Sequence, residues 1–210
     1  MKLILILVLP FWLAAQTSLD KAQRLFENKN YNQAEVLYKE LLAQSPNNLE
    51  AIEKLGDIAG LNKSWDAALD YYKKLKTLRP KEANYQFKYG AALGMVALNV
   101  NKFRALGMID EIKKSFENAI LFDDKHIQAR WGLIELNLKL PAIAGGSQSK
   151  ALKYANELQS FSAVDGYLAK GHIEEYFNRY TQAEAFYKKA ILVGKSKYCY
   201  HKLASLYQNK

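Results

Sequence analysis

The sequence predicts an all-α fold, a solenoid in which antiparallel helix pairs repeat along the chain. One pattern occurs twice: Ala34, Tyr38, Leu41 and Pro46 recur as Ala68, Tyr72, Leu75 and Pro80. The shared displacement of 34 residues is typical of helical repeat arrays. Elsewhere apolar residues recur at three- and four-residue steps, and no stretch alternates as a strand would. We therefore expect helices throughout.

The first 15 residues have the form of a secretory signal peptide. Lys2 precedes an apolar run from 3 to 13, and small residues follow at 14 and 15. A positive start, a short apolar core and small residues before a polar one are typical of export signals. We expect cleavage after Ala15 and a periplasmic location, with secretion as the alternative. An uncleaved anchor is a weaker hypothesis, because a spanning helix needs roughly 20 apolar residues.

Cysteine content and charge narrow the class of protein. Cys199 is the single cysteine, so an internal disulfide is excluded. An exported fold held by packing alone suits a bacterial periplasm. The formal net charge of +9 is compatible with nucleic acid, anionic lipid or an acidic partner, and export argues against nucleic acid.

After the signal peptide we expect one solenoid domain, 16–210, with about five repeats. The repeats are placed at 16–48, 49–82, 83–125, 126–163 and 164–197, and a capping helix at 198–208. The third repeat is about ten residues longer than the period, so both of its helices are expected to be long. The fourth contains an inserted loop from Pro141 to Ser147.

Residues 19–80 resemble two tetratricopeptide repeats. The resemblance rests on Gly56, where two helices touch, on Tyr72 of the second helix and on Pro80 after it, with Ala22 in the glycine position of the first repeat. A small residue lets helix backbones approach, and the aromatic ring fills the space that remains. The resemblance implies a right-handed superhelical solenoid that binds protein. Residues 101–151 are also similar to exported bacterial repeat proteins of unassigned function, which implies no activity.

No catalytic, cofactor or metal site is predicted. Ser147 and Lys150 have the Ser-x-x-Lys spacing of serine acyl-enzymes, but the companion Ser-Asp-Asn and Lys-Thr-Gly motifs are absent. The simpler interpretation is that Ser147 or Ser149 caps the following helix. The three histidines never pair at metal-ligand spacing. We therefore expect a protein that is not an enzyme.

The first helix of each repeat is expected to line a concave groove, as the tetratricopeptide resemblance implies. The candidate binding residues on these helices are Glu50, Glu53, Asp57, Phe87, Trp131, Glu135, His172 and Glu175. Tetratricopeptide co-chaperones hold an acidic C-terminus with a lysine and asparagine clamp, and Leu19 and Gln23 stand in its place. An acidic groove with aromatic residues favours a basic or apolar peptide segment. An ordinary solvated surface is the alternative interpretation.

The inserted loop is a second candidate contact, because loops inserted in a scaffold often bind. Its candidate residues are Ile143, Gly145 and Gly146, although the glycines are explained more simply by a turn. The leading hypothesis is an exported scaffold that binds a protein or peptide partner. The alternatives are binding of cell-envelope glycan through Trp131, Tyr85 and this loop, or of an anionic polymer through the lysine-rich second helices.

Overall fold

The computed structural model describes residues 9–208, with side chains described from residue 18 onward. Residues 1–8 of the predicted signal peptide lie outside this range. Within it every regular element is helical, so the predicted all-α fold class of paired helices is confirmed. The chain divides into two compact units, the first ending at Asn101 and the second beginning at Lys102. No helix in the described range is long and apolar enough to span a membrane.

The first unit consists of five helices joined by short turns. They are α1 (Leu9–Glu27), α2 (Tyr31–Gln44), α3 (Leu49–Leu61), α4 (Trp65–Leu78) and α5 (Ala83–Leu98). The turn inside each helix pair repeats at the 34-residue period, because Lys29 and Lys63 both have left-handed backbone conformations, with φ of 60° and 57°. The chain therefore reverses direction at equivalent positions of the two repeats, through the same backbone conformation.

The repeated sequence pattern forms the core of this unit. The fully or nearly buried residues on α2 and α4 are Ala34, Tyr38, Leu41, Ala68, Tyr72 and Leu75. Gly56 of α3 lies under the ring of Tyr72, and a Cβ atom at this glycine would lie 2.6 Å from Tyr72 Cε1. The small residue expected from the repeat pattern is thus required by the aromatic ring that covers it.

The second unit contains seven α-helices and one 3₁₀ turn in the described residues. They are α6 (Lys102–Leu106), α7 (Ile109–Phe122), α8 (Ile127–Lys139), the 3₁₀ turn (Ala142–Ala144), α9 (Gln148–Phe161), α10 (Ala163–Tyr176), α11 (Tyr180–Gly194) and α12 (Lys197–Gln208). The expectation that both helices of the third repeat are long holds for α5, which has 16 residues. It is wrong for α7, which has 14 residues, because further residues form α6. Gly107 follows α6, and glycine is a poor helix former, so the chain turns there.

Packing in the second unit follows the same rule. A Cβ atom at Gly132 of α8 would lie 2.7 Å from Phe116 Cζ, and one at Gly171 of α10 would lie 2.5 Å from Tyr187 Cε1. The aromatic residues are buried, and glycine allows each ring to reach the neighbouring backbone. Ser147 Oγ accepts a hydrogen bond from Lys150 N at 3.3 Å, which confirms that Ser147 caps α9.

Candidate partner-binding faces

The predicted groove residues lie on first helices, in two groups that belong to different units. Glu50, Glu53 and Asp57 are on α3, and Phe87 is on α5, all in the first unit. The second unit holds the other four, on α8 and α10: Trp131, Glu135, His172 and Glu175. Each group is described within its own unit.

A lysine that sequence reasoning missed joins the first group. Lys88 Nζ lies 2.6 Å from Glu53 Oε1 and 2.6 Å from Asp57 Oδ1, so α5 is tied to two consecutive turns of α3. All three side chains are about one-fifth exposed, between 18% and 24%. Ion pairs at this depth are only partly screened by salt. The position was visible in the sequence, because Lys88 lies four residues after Asn84 and therefore on the same helical face.

Two further side chains complete this group, which we call the Lys88 cluster: Glu53, Asp57, Tyr72, Asn84 and Lys88. Tyr72 Oη donates a 2.7 Å hydrogen bond to Asp57 Oδ1, and Asn84 Nδ2 donates to Glu53 Oε1 at 3.3 Å. Burial, followed by the charge of Asp57, raises the pKa of Tyr72, so its hydroxyl keeps its proton and remains a donor. Both carboxylates are held in fixed positions.

Two further carboxylates, those of Glu50 and Glu27, lie near the Lys88 cluster. Glu50 lies on α3 one turn before Glu53, and Glu27 accepts a 2.8 Å hydrogen bond from Gln23 of α1. Burial raises the pKa of Tyr38, and the next largest cause is the charge of Glu50. We call Glu27, Glu50, Glu53 and Asp57 the acidic face.

Lysines and aromatic rings border the acidic face. Lys54 Nζ lies 4.5 Å from the centroid of the Phe26 ring, in cation–π contact, and Lys88 is the second lysine of this region. Of these two lysines, only Lys88 forms an ion pair with the acidic face. Phe87 of α5 is half-buried, so the first unit combines a net negative face with partly exposed aromatic surface.

In the second unit the structure brings Trp131, Glu135 and His172 together, and we call them the His172 cluster. His172 Nε2 of α10 lies 2.6 Å from Glu135 Oε1 of α8, and the His172 ring centroid lies 6.0 Å from that of Trp131. Lys139 Nζ lies 3.2 Å from Glu135 Oε2, one turn along α8. The close contact with His172 is the largest cause that lowers the pKa of Glu135, to about 2.

Glu175 has a structural partner of its own. Tyr187 Oη of α11 donates a 2.6 Å hydrogen bond to Glu175 Oε2. Burial first, and this bond second, raise the pKa of Tyr187. Glu175 therefore ties α10 to α11, as Asp57 ties α3 to α4.

The inserted loop presents one exposed apolar side chain on a backbone that requires glycine. Ile143 is 99% exposed. Gly145 has a φ of 91°, and a Cβ atom at Gly146 would lie 1.8 Å from the carbonyl oxygen of Leu140. These glycines are needed for the turn itself, and among the loop candidates Ile143 is the side chain placed to touch a partner.

No group of three or more metal-ligating side chains occurs among the described residues. The expectation that the protein binds no metal stays a prediction, as does the absence of a cofactor.

Comparison with known proteins identifies the repeat. Residues 25–91 match the family model of the tetratricopeptide repeat, about a third of the chain. No curated protein matches the sequence.

Solved structures match over most of the chain. A thermophilic tetratricopeptide repeat protein of Thermus thermophilus is 17% identical, with a TM-score of 0.73 over 92% of this chain and 99% of that one. MamA of Desulfovibrio magneticus is 14% identical, with a TM-score of 0.66 over 87% and 96% of the two chains. YrrB, a tetratricopeptide repeat protein with an unusual peptide-binding site, is 14% identical, with a TM-score of 0.58 over 90% and 89%. At these identities the similarity establishes the fold.

Proposed function

Since residues 25–91 match the tetratricopeptide repeat model and the chain has the fold of tetratricopeptide repeat proteins, we propose that it is a non-enzymatic scaffold that binds a basic polypeptide segment on its acidic face. The observation that carries the proposal is the position of Lys88, whose ammonium group lies 2.6 Å from both Glu53 and Asp57. The chain's own lysine shows that this surface accommodates an ammonium group between first helices.

The arrangement of the carboxylates supports binding because it is preorganised. Hydrogen bonds from Tyr72 and Asn84 hold Asp57 and Glu53 in place before any partner arrives. A rigid site loses less conformational entropy on binding than a flexible one. Glu50 and Glu27 take no part in the ion pairs of Lys88. We propose that their carboxylates bind a lysine or arginine side chain of the partner.

The nearby aromatic rings suit the apolar part of such a segment. Phe26 already carries one ammonium group over its face, from Lys54. Aromatic surface beside carboxylates binds the aliphatic stem of lysine or arginine as well as its charge. The peptide-binding site named for YrrB, a protein of similar fold, is consistent with a partner of this kind.

The experiment is a fluorescence anisotropy titration of the full chain with short labelled peptides. The peptides are matched in length and apolar content and carry lysine, glutamine or glutamate at the same positions. We expect binding in the order lysine, glutamine, glutamate. Glu50→Lys should weaken the lysine peptide about tenfold, which is ~1.4 kcal/mol, and leave the helical circular dichroism spectrum unchanged.

The matched control is Glu40→Lys, which makes the same charge change at an exposed position on α2, a second helix of the same unit. We expect this variant to bind as the wild type does. Equal affinity for the three peptides, or equal loss from both variants, would reject the proposal.

The His172 cluster and the loop are proposed as further contacts of the second unit. Trp131→Ala and Ile143→Ser remove one half-buried indole and one fully exposed apolar side chain. The affinity of each variant for the lysine peptide can be measured by the same anisotropy titration. A peptide affinity unchanged by both substitutions would restrict the binding surface to the first unit.

We also propose export through the N-terminal segment, as its sequence predicts. Expression in a bacterium, fractionation of the cells and N-terminal sequencing test this. Recovery of a chain that begins at Gln16 in the periplasmic fraction is the expected result, and retention of Met1 in the cytoplasmic fraction would overturn it.

A further inference from the structure

The helix α12 and the turn before it are rich in basic and aromatic residues. The segment 195–208, which contains α12, has Lys195, Lys197, His201 and Lys202 and neither aspartate nor glutamate. It also carries three tyrosines, of which Tyr198 and Tyr200 are more than half exposed. In composition this is the kind of segment that the acidic face is proposed to bind.

One side of α12 is anchored and the opposite side is exposed. Cys199 and Leu206 are fully buried against the second unit. Lys197, Tyr200 and His201 are exposed, and their three- and four-residue spacing puts them on one face of the helix. The helix therefore presents an ammonium group, an imidazole and an aromatic ring from a fixed backbone.

The lysines of α12 have no carboxylate on their own helix. On the second helices a lysine is paired with a glutamate one turn away, as in the pairs Glu35–Lys39, Lys113–Glu117, Lys153–Glu157 and Glu184–Lys188. Such pairing reduces the charge that a lysine presents to a partner. Because α12 contains no acid, its charge is directed to groups outside the helix.

We propose that the partner on the acidic face is a second copy of this chain, bound through the exposed face of its α12. This inference rests on the proposed function and names its partner. The argument is charge complementarity between Glu27, Glu50, Glu53 and Asp57 on one copy and Lys197 on the other, with Tyr200 available to cover Phe26 or Phe87. The two surfaces are different, so the contact is heterologous, with one donor helix and one acceptor face per chain.

The test begins with sedimentation equilibrium of the full chain at increasing concentration. We expect reversible self-association in about 0.1 M NaCl that weakens at least tenfold in about 1 M NaCl, as the Debye length falls from ~10 Å to ~3 Å. Glu50→Lys damages the acceptor face, and Lys197→Glu damages the donor helix. Each variant alone should associate about tenfold more weakly than the wild type, and Glu40→Lys should associate as the wild type does.

Mixing the two variants gives the decisive result. Lys197→Glu retains the acceptor face and Glu50→Lys retains the donor helix, so a mixture restores one complete interface. We expect a one-to-one complex with the affinity of the wild-type contact, which no loss of folding could produce. A mixture that associates no better than its components would overturn the proposal.

The outcomes separate this inference from the proposed function. If the lysine peptides bind the acidic face and the wild-type chain stays monomeric at all concentrations, the second copy is rejected and the scaffold function stands. If the wild type self-associates and neither variant weakens the association, the assignment of α12 to the acidic face is rejected. If neither the peptides nor a second copy binds, both proposals fail.

Discussion

Tyr72 Oη donates a 2.7 Å hydrogen bond to Asp57 Oδ1 across the α3–α4 pair. The same relationship recurs between Tyr38 and Gln23 on α2 and α1, and between Tyr187 and Glu175 on α11 and α10. In each pair the aromatic residue of the second helix is buried and its hydroxyl reaches a polar side chain of the first helix. The repeat aromatic thus packs the pair and orients a side chain on the first helix.

Tyr72→Phe should separate these two roles, because it keeps the ring over Gly56 and removes the hydroxyl. We expect a loss of about 1 kcal/mol in unfolding free energy, since Asp57 keeps its ion pair with Lys88. Urea denaturation followed by circular dichroism measures the change. Tyr71→Phe, at a half-buried neighbouring position, is the control and should change stability less. A Tyr72→Phe variant as stable as the wild type would contradict a role for the hydroxyl.

Glycine to alanine substitutions should have opposite effects at two helical positions of the first unit. At Gly56 the new Cβ atom would lie 2.6 Å from Tyr72 Cε1, so the ring must move, and we expect a loss of roughly 1–3 kcal/mol. At Gly94 of α5 no atom beyond its chain neighbours and the nearby backbone of its own helix lies within 4 Å of the new Cβ atom, and alanine favours helix by about 0.5–1 kcal/mol. Denaturation midpoints of the two variants give the comparison, and a common sign would refute the packing argument.

The repeat period was sufficient to predict the fold class, because helix pairs at a fixed spacing repeat their buried positions. Ala34, Tyr38 and their equivalents Ala68 and Tyr72 are buried as the pattern predicts. The turns also follow the period, with left-handed Lys29 and Lys63 at equivalent positions. Local sequence determines these features, since each depends on contacts inside one repeat or with its immediate neighbour.

The candidate site was only partly predictable, because helical spacing gives the face of a side chain but not its partners. Asp57 and Glu175 were predicted as partner contacts, and tyrosine hydroxyls hold both. Lys88 was missed because it is adjacent in sequence to Phe87, and only the repeat position of Phe87 was counted as lining the groove. The length of the second helix of the third repeat was predicted wrongly for a different reason. Spacing alone does not show whether extra residues lengthen a helix or form a separate one such as α6.

Glu135 should make the second unit sensitive to acid. Its pKa in the folded chain is lowered to about 2, first by the close contact with His172. A carboxyl with a lowered folded pKa adds stability above its ordinary pKa of 4.5 and loses it as the pH falls toward 2. Glu135→Gln should therefore unfold with a weaker pH dependence between these values. Acid titrations followed by circular dichroism measure this, with Glu40→Gln as the exposed control; parallel curves for wild type and Glu135→Gln would exclude the effect.

His126 should add a second pH dependence, nearer neutrality, through the start of α8. Its Nδ1 atom accepts a 3.2 Å hydrogen bond from Ala129 N, which requires a neutral ring. Burial lowers the pKa of His126 below 6.5, and Arg130 acts in the same direction while Asp123 opposes it. When the pH is below 6.5, histidine in the unfolded chain binds a proton more readily than His126 in the folded chain. The free energy of unfolding therefore decreases as the pH falls below 6.5.

His126→Asn tests this effect because asparagine retains a good capping oxygen and does not titrate. We expect the variant to match the wild type at about pH 7 and to lose less stability by about pH 5, where one titrating group contributes at most ~1.4 kcal/mol per pH unit. Urea midpoints across this range give the two slopes. Ser147→Asn, a change at the cap of α9 that involves no titrating group, should retain the wild-type slope. If His126→Asn retains that slope as well, protonation of this cap does not limit the stability of the second unit.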